Sequence, residues 1–151
     1  MGVFAGASSK LICEVKGDKR FHIFDTFEGL PPDSEKDPGV HRVGQYACSL
    51  ESVQEYLKAY DNLEFHKGLF PDSAVDADEP EFAFAHFDVD LYEGTLACLE
   101  FFYPRMIPGG VMLSHDYDLL DGVEAAFTEF LADKPEELIE MPTTQCMVIK
   151  L

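Results

Sequence analysis

The chain reads as an open α/β fold, with a largely parallel sheet, helices between its strands and an antiparallel hairpin at its carboxyl end. Three observations predict it. Phe82 to Asp118 runs as an apolar strand ending in carboxylates, a helix, and a second apolar strand ending in acid and imidazole groups. An earlier strand, Phe21 to Phe27, carries an acid near its end, Asp25, and helical periodicity follows it. Glu137 to Met141 and Gln145 to Leu151 are two short strands around Pro142-Thr143-Thr144, the pattern of a hairpin. Parallel strands bring their carboxyl ends to one edge of a sheet, where open α/β folds place their ligands.

The totals fit this class and exclude others. A length of 151 residues suits one domain, and 46% hydrophobic with 13% aromatic residues is globular composition. No run of about 18 apolar residues and no basic-then-apolar leader is present, so a cytoplasmic protein without membrane spans is expected. The balance of 11 basic against 29 acidic residues, a formal −18, repels nucleic acid and anionic membranes, and no segregated basic patch offsets it. The acidity reads either as metal affinity or as a solvated surface with a few special carboxylates. Cys13, Cys48, Cys98 and Cys146 are scattered without a CxxC pair, which predicts reduced thiols rather than a zinc or disulfide framework.

In order, Met1 to Ser9 is a small-residue loop leading into a short helix, Ser8 to Val15, with a serine cap. Gly2 and Gly6 before that helix resemble half of a nucleotide loop, although no strand precedes them. Asp25 is placed either to meet ribose hydroxyls or to cap the following turn. Glu28 to Gly44 lacks periodicity and reads as a long loop suited to a substrate lid. From Ser49 a helix presents Val53, Tyr56, Leu57 and Tyr60 on one face, and Leu63 to Phe70 is a short strand in which His66 is an ordinary, partly exposed residue. Asp72 to Pro80 is an acidic surface loop. Phe82 to Val89 is the next strand, and Thr95 to Tyr103 a helix turning Leu96, Leu99, Phe102 and Tyr103 inward. Pro104 and Pro108-Gly109 break the chain before the strand Gly110 to Ser114, and Gly122 to Leu131 is a helix with Val123, Ala126, Phe127 and Phe130 as its apolar stripe.

Asp88, Asp90, His115 and Asp116 are the candidate chemical residues. Carboxylates gathered at neighbouring strand ends are tolerated where a cation or a shared proton compensates them, and otherwise cap helices and face solvent. Mg²⁺ suits the oxygen ligands, whereas His115 favours Mn²⁺ or another transition metal, or serves instead as a general base.

Together GVFAGASS, FDTFEGLPPD, HKGLFPDS, FDVDLYEGT, FFYPRMIPGG, and SHDYD followed by GVEAAFTEF resemble, in order and spacing, the macrocin O-methyltransferase (TylF-like) family of S-adenosylmethionine-dependent enzymes. The resemblance spans nearly the whole chain, 1–151, taken as a single domain. It implies a Rossmann-like class I methyltransferase sheet and metal-dependent methyl transfer from S-adenosylmethionine to a hydroxyl of a small molecule, characteristically a sugar of a natural product. By it, Asp88 and Asp116 bind a divalent metal together with His115, which stands where the family has an acid. Asp88 or His115 takes the hydroxyl's proton. Asp25 holds the cofactor ribose, Gly2, Gly6 and Ser8 line its methionine end, and Thr26 and Phe27 wall the same pocket.

Family members carry a central strand before the glycine loop, and this sequence starts at the loop. A truncated or misassigned start is expected. Otherwise the Phe21–Phe27 and Phe82–Val89 strands pair directly, or a partner chain, such as a second copy, fills the gap. Two other readings stand beside the enzyme. A phosphohydrolase would use Asp88-Val89-Asp90, but Tyr92 stands where those enzymes want Thr or Val. A non-catalytic remnant would fold without holding cofactor.

Overall fold

Apolar runs and helical periodicity resolve into six strands and four α-helices among the described residues. The structure, a computed structural model, describes residues 1–39, 41–74 and 81–151. These form two compact units, one of Met1, 33–39 and 81–151, the other of 2–32 and 41–74.

In the second unit, α1 (Ala7–Val15) leads to β1 (Phe21–Asp25), and α2 (Leu50–Leu57) leads to β2 (Leu63–Lys67), which lies parallel to β1. Val3, Ile23, Phe27, Val53 and Leu57 form its buried core. Ser49 caps α2 as its sequence predicts, its hydroxyl accepting from Ser52 N–H at 3.2 Å. The apolar stripe of α2 is narrower than expected, because Tyr56 is 47% exposed. The cap of α1 is also a correction: Gly6, with φ 85°, occupies the position expected of a serine and makes no side-chain cap bond. Asp72–Ala74 is a short 3-10 turn, and the rest of the acidic loop expected to Pro80 lies outside the described residues.

The other unit holds β3 (Phe82–Phe87), α3 (Tyr92–Phe102), β4 (Met106–Ser114), α4 (Asp121–Leu131), β5 (Leu138–Glu140) and β6 (Cys146–Ile149). The sheet order is β3-β4-β6-β5, with β3 parallel to β4 and β6 antiparallel to both of its neighbours. The predicted parallel pair and terminal hairpin are both present. Phe87, Leu99, Met112, Phe127 and Val148 are fully buried between sheet and helices.

Two boundaries differ from expectation for physical reasons. Pro108-Gly109 does not end the chain's extended run. Phe82 pairs with Met106 but Phe84 with Val111, so the extra residues of β4 bulge outward, with Gly109 at φ 81° and its N–H donating to Lys150 O at 2.7 Å. Helix α3 starts at Tyr92 rather than Thr95 because its first N–H donates to both oxygens of Asp37, at 3.0 and 3.2 Å. Asp37 is buried and also accepts from Ser34 Oγ at 2.7 Å. Residues 33–39 are therefore fastened to α3.

Among the described residues β1 and β3 do not pair with each other and belong to separate sheets. Met1 runs beside β3, donating to His86 O at 2.8 Å and accepting from Asp88 N–H at 3.1 Å, the alternation of a parallel ladder. All four cysteines are free, three of them buried. No helix among the described residues is long and apolar enough to cross a membrane.

Candidate active site at the ends of the third and fourth strands

Strands β3 and β4 end level with each other. Phe87 pairs with Ser114, and His115 N–H donates to Phe87 O at 3.0 Å, so Asp88 and His115 leave the sheet side by side. Asp90 and Asp116 both adopt φ 60°, a left-handed conformation uncommon for residues with side chains and frequent at ligand sites. One ligating atom from each of Asp88, His115 and Asp116 lies within 4.8 Å of the other two. Asp90 joins this group, its carboxyl interacting with those of Asp88 and Asp116.

Burial raises the Asp88 carboxyl above its ordinary range, with His115 opposing and Asp116 adding to the rise. For Asp90, burial and the charges of Asp88 and Asp116 together push the pKa up to about 7. His86, whose ring meets His115 edge-on with centroids 5.2 Å apart, is held down to about 4 chiefly by burial and is neutral at neutral pH. Among the described residues no lysine or arginine forms an ion pair with Asp88, Asp90 or Asp116. Partly buried carboxylates that no lysine or arginine pairs with, converging with an imidazole, are a donor set that fits a divalent cation. The imidazole widens the fit from Mg²⁺ toward Mn²⁺ and other transition ions.

Two residues not anticipated from the sequence support this group. In the turn between β5 and β6, Thr144 Oγ1 donates to Asp116 Oδ1 at 3.3 Å, and the Gln145 side-chain amide contacts His115 Nε2 at 2.6 Å. Tyr117 N–H donates to Thr144 O at 2.7 Å, holding the turn in place. Outer partners of this kind orient a ligating imidazole and fix its tautomer. Nothing in their local spacing marks them, because the contact is made by a hairpin folding back some thirty residues later.

The residues expected to meet a cofactor lie in the other unit. Asp25 accepts backbone N–H groups from Val3 at 2.6 Å, Phe4 at 3.3 Å and Phe27 at 2.7 Å. Its carboxylate thereby shapes the amino-terminal loop, and Gly2 N–H donates to Phe24 O at 3.2 Å beside it. Gly6 is favoured by its φ of 85°, and a Cβ there would stand 3.2 Å from the half-exposed Tyr56 ring. Ser8, half-buried, lies in the first turn of α1, whose leading N–H groups have no side-chain cap. Thr26 Oγ1 donates to Gly29 O at 2.8 Å and lines a hollow of about 600 Å3 with Leu30, Gly44 and Gly68. Phe27 is 5% exposed and packs into the core, with a left-handed backbone at φ 56°.

The profile of the family described as Macrocin-O-methyltransferase (TylF) matches residues 2–146. The 8-demethyl-8-(2,3-dimethoxy-alpha-L-rhamnosyl)-tetracenomycin-C 4'-O-methyltransferase of Streptomyces olivaceus is 33% identical over 132 residues, covering 77% of this chain and 51% of that protein. The demethyldecarbamoylnovobiocin O-methyltransferase of Streptomyces niveus is 30% identical over 135 residues, covering 81% and 52% respectively. The chain thus spans about half the length of these curated relatives. The solved structure of the O-methyltransferase NovP superposes with a TM-score of 0.88 at 26% identity, over 99% of this chain and 69% of that one.

Proposed function

Because the chain belongs to the macrocin-O-methyltransferase (TylF) family, we propose that it transfers a methyl group from S-adenosylmethionine to a hydroxyl of a small molecule, a sugar or related natural product, with the help of a divalent metal ion. The observation that carries this reading is the convergence of Asp88, His115 and Asp116 within 4.8 Å at the ends of β3 and β4. The names of the relatives, which methylate sugar-bearing natural products, support the acceptor class.

Asp88 and Asp116 hold the ion through their carboxylates, with His115 as the third ligand or as the group that takes the hydroxyl's proton. Asp88 is the alternative proton acceptor. A divalent ion bound there supplies a Lewis acid that lowers the acceptor hydroxyl's pKa. Gln145 and Thr144 keep His115 and Asp116 in one orientation. Proximity and orientation of the acceptor oxygen account for most of the rate, since a sulfonium methyl needs little activation.

For the cofactor, Gly2, Gly6 and Ser8 present backbone at the start of α1, where uncapped N–H groups suit a carboxylate. Asp25 shapes this loop with three N–H bonds, and about one acceptor position of its carboxylate remains for a ribose hydroxyl. Thr26 stands beside it on the following turn, with Phe27 anchoring that turn in the core.

Calorimetric titration with S-adenosylmethionine, with and without Mg²⁺ or Mn²⁺, tests the reading. Saturable cofactor binding by folded protein is expected. A folded protein that takes up no cofactor under either condition is instead the non-catalytic form of this fold.

A further inference from the structure

A second cluster of ligating side chains lies apart from the acid group, on the paired strands β1 and β2. His22 pairs directly with Glu64, and Phe24 with His66, in a parallel register. Side chains alternate faces along a strand, so His22, Glu64 and His66 all stand on one face of this pair. His22 Nδ1 is 2.9 Å from His66 Nε2 and 3.6 Å from Glu64 Oε2. The ligating atoms of the three residues lie within 4.8 Å of one another.

The surroundings fix these groups. The His22 side chain is 4% exposed, while Glu64 at 44% keeps the cluster open to solvent on one side. The two imidazoles stack at 5.2 Å and 18°, and the Phe24 ring stacks on His66 at 4.4 Å. Arg20 Nε contacts the other carboxylate oxygen, Glu64 Oε1, at 3.3 Å and leaves Oε2 turned toward His22.

We propose that His22, Glu64 and His66 form a binding site for a transition-metal ion of the zinc class, separate from the Asp88 group. Two nitrogens bound to one tetrahedral ion at about 2.0–2.1 Å stand about 3.3 Å apart. The observed nitrogens need to separate by only a few tenths of an ångström, and the carboxylate oxygen is already near that spacing. In the metal-free protein the two imidazoles share a hydrogen bond; on binding, the shared proton passes through solvent to the other nitrogen of its own ring, and both rings turn so that the freed lone pairs converge on the ion. Two imidazoles and one carboxylate select Zn²⁺, Co²⁺ or Ni²⁺ over Mg²⁺. The Arg20 charge, paired with Glu64 Oε1, weakens the site. Because the ligands come from both strands, the ion staples β1 to β2 and stiffens the strand that ends in Asp25. His66 is partly exposed, as its local sequence suggests, and its partners in this cluster are remote in sequence.

The test uses the full chain carrying Asp88→Asn and Asp116→Asn, so that the acid group is disabled. Titration with Co²⁺ is expected to give the visible absorption of a low-symmetry nitrogen-oxygen site at one ion per chain, without a thiolate charge-transfer band in the near ultraviolet. Zn²⁺ is expected to raise Tm and Mg²⁺ to leave it unchanged. His66→Gln in this background should abolish the Co²⁺ spectrum, and Glu64→Gln should weaken binding at least about tenfold. If His66→Gln fails to fold, the half-exposed Glu64→Gln variant decides. Absence of a Co²⁺ spectrum, a thiolate band, or a spectrum and affinity unaltered by these substitutions overturns the proposal.

Discussion

A carboxylate held at positive φ beside two others has little reason to persist unless something compensates its charge. Asp90 and Asp116 both adopt φ 60°, and the pKa of Asp90 is pushed up to about 7, so a proton fills that role in the metal-free protein. Under the proposed function a divalent ion would displace it. Asp88→Asn and Asp116→Asn should each remove the rise in Tm that Mg²⁺ or Mn²⁺ produces, a stabilisation of about 2.7 kcal/mol when the ion is at a hundredfold its Kd. Thermal denaturation with and without the ion measures it, and a rise that survives either substitution strikes that residue from the ligand set. Asp88, Asp90, His115 and Asp116 are legible in the sequence because all four fall within three residues of the end of an apolar strand. Gln145 and Thr144 were not, since their role exists only once the hairpin folds back. Asp25 was legible as a strand-end acid, but its engagement by three backbone N–H groups depends on where the preceding loop runs.

At the scale of elements, sequence patterning locates the six strands and four α-helices of the described residues, and the displaced boundaries are those decided by distant partners. Asp37 is the clearest case, a loop residue that begins α3 by accepting from Tyr92 N–H. The same carboxylate lies against α4, where a Cβ on Gly122 would stand 1.9 Å from Asp37 Oδ1 and 3.0 Å from its Cγ. Gly122→Ala ought to stabilise an isolated helix by about 1 kcal/mol. Here it displaces the carboxylate, combining the loss of a helix cap, about 1 kcal/mol, with an overpacking cost of about 1–3 kcal/mol. The net expectation is a loss of about 2 kcal/mol in urea unfolding. Because both changes act through one contact, Asp37→Ala combined with Gly122→Ala should cost less than the sum of the two. A neutral or stabilising Gly122→Ala would show that Asp37 does not hold α3.

Over the whole molecule, a formal charge of −18 makes acidic conditions an informative probe, because most carboxylates are solvated and a few are structural. Glu136 is structural and only 5% exposed. Burial disfavours its charge, yet Lys150 Nζ at 2.6 Å, Tyr103 OH at 2.7 Å and Leu151 N–H at 3.2 Å outweigh that and hold its pKa down to about 2. It thereby ties the end of α3, the approach to β5 and the residues after β6 to one carboxylate. An unfolded glutamate titrates near 4.3, so the folded form binds its proton more weakly than the unfolded one. Its stabilising contribution is complete above about pH 4.3 and disappears as pH falls toward about 2. Glu136→Gln keeps the shape but leaves the Lys150 ammonium without its counter-charge, and should cost about 2–3 kcal/mol at neutral pH. Denaturant unfolding from pH 7 to 2 should give curves for the two proteins that converge on acidification, because the native carboxyl becomes as neutral as the amide. A gap that stays constant down to pH 2 would assign the loss to packing and remove Glu136 as the source of acid sensitivity.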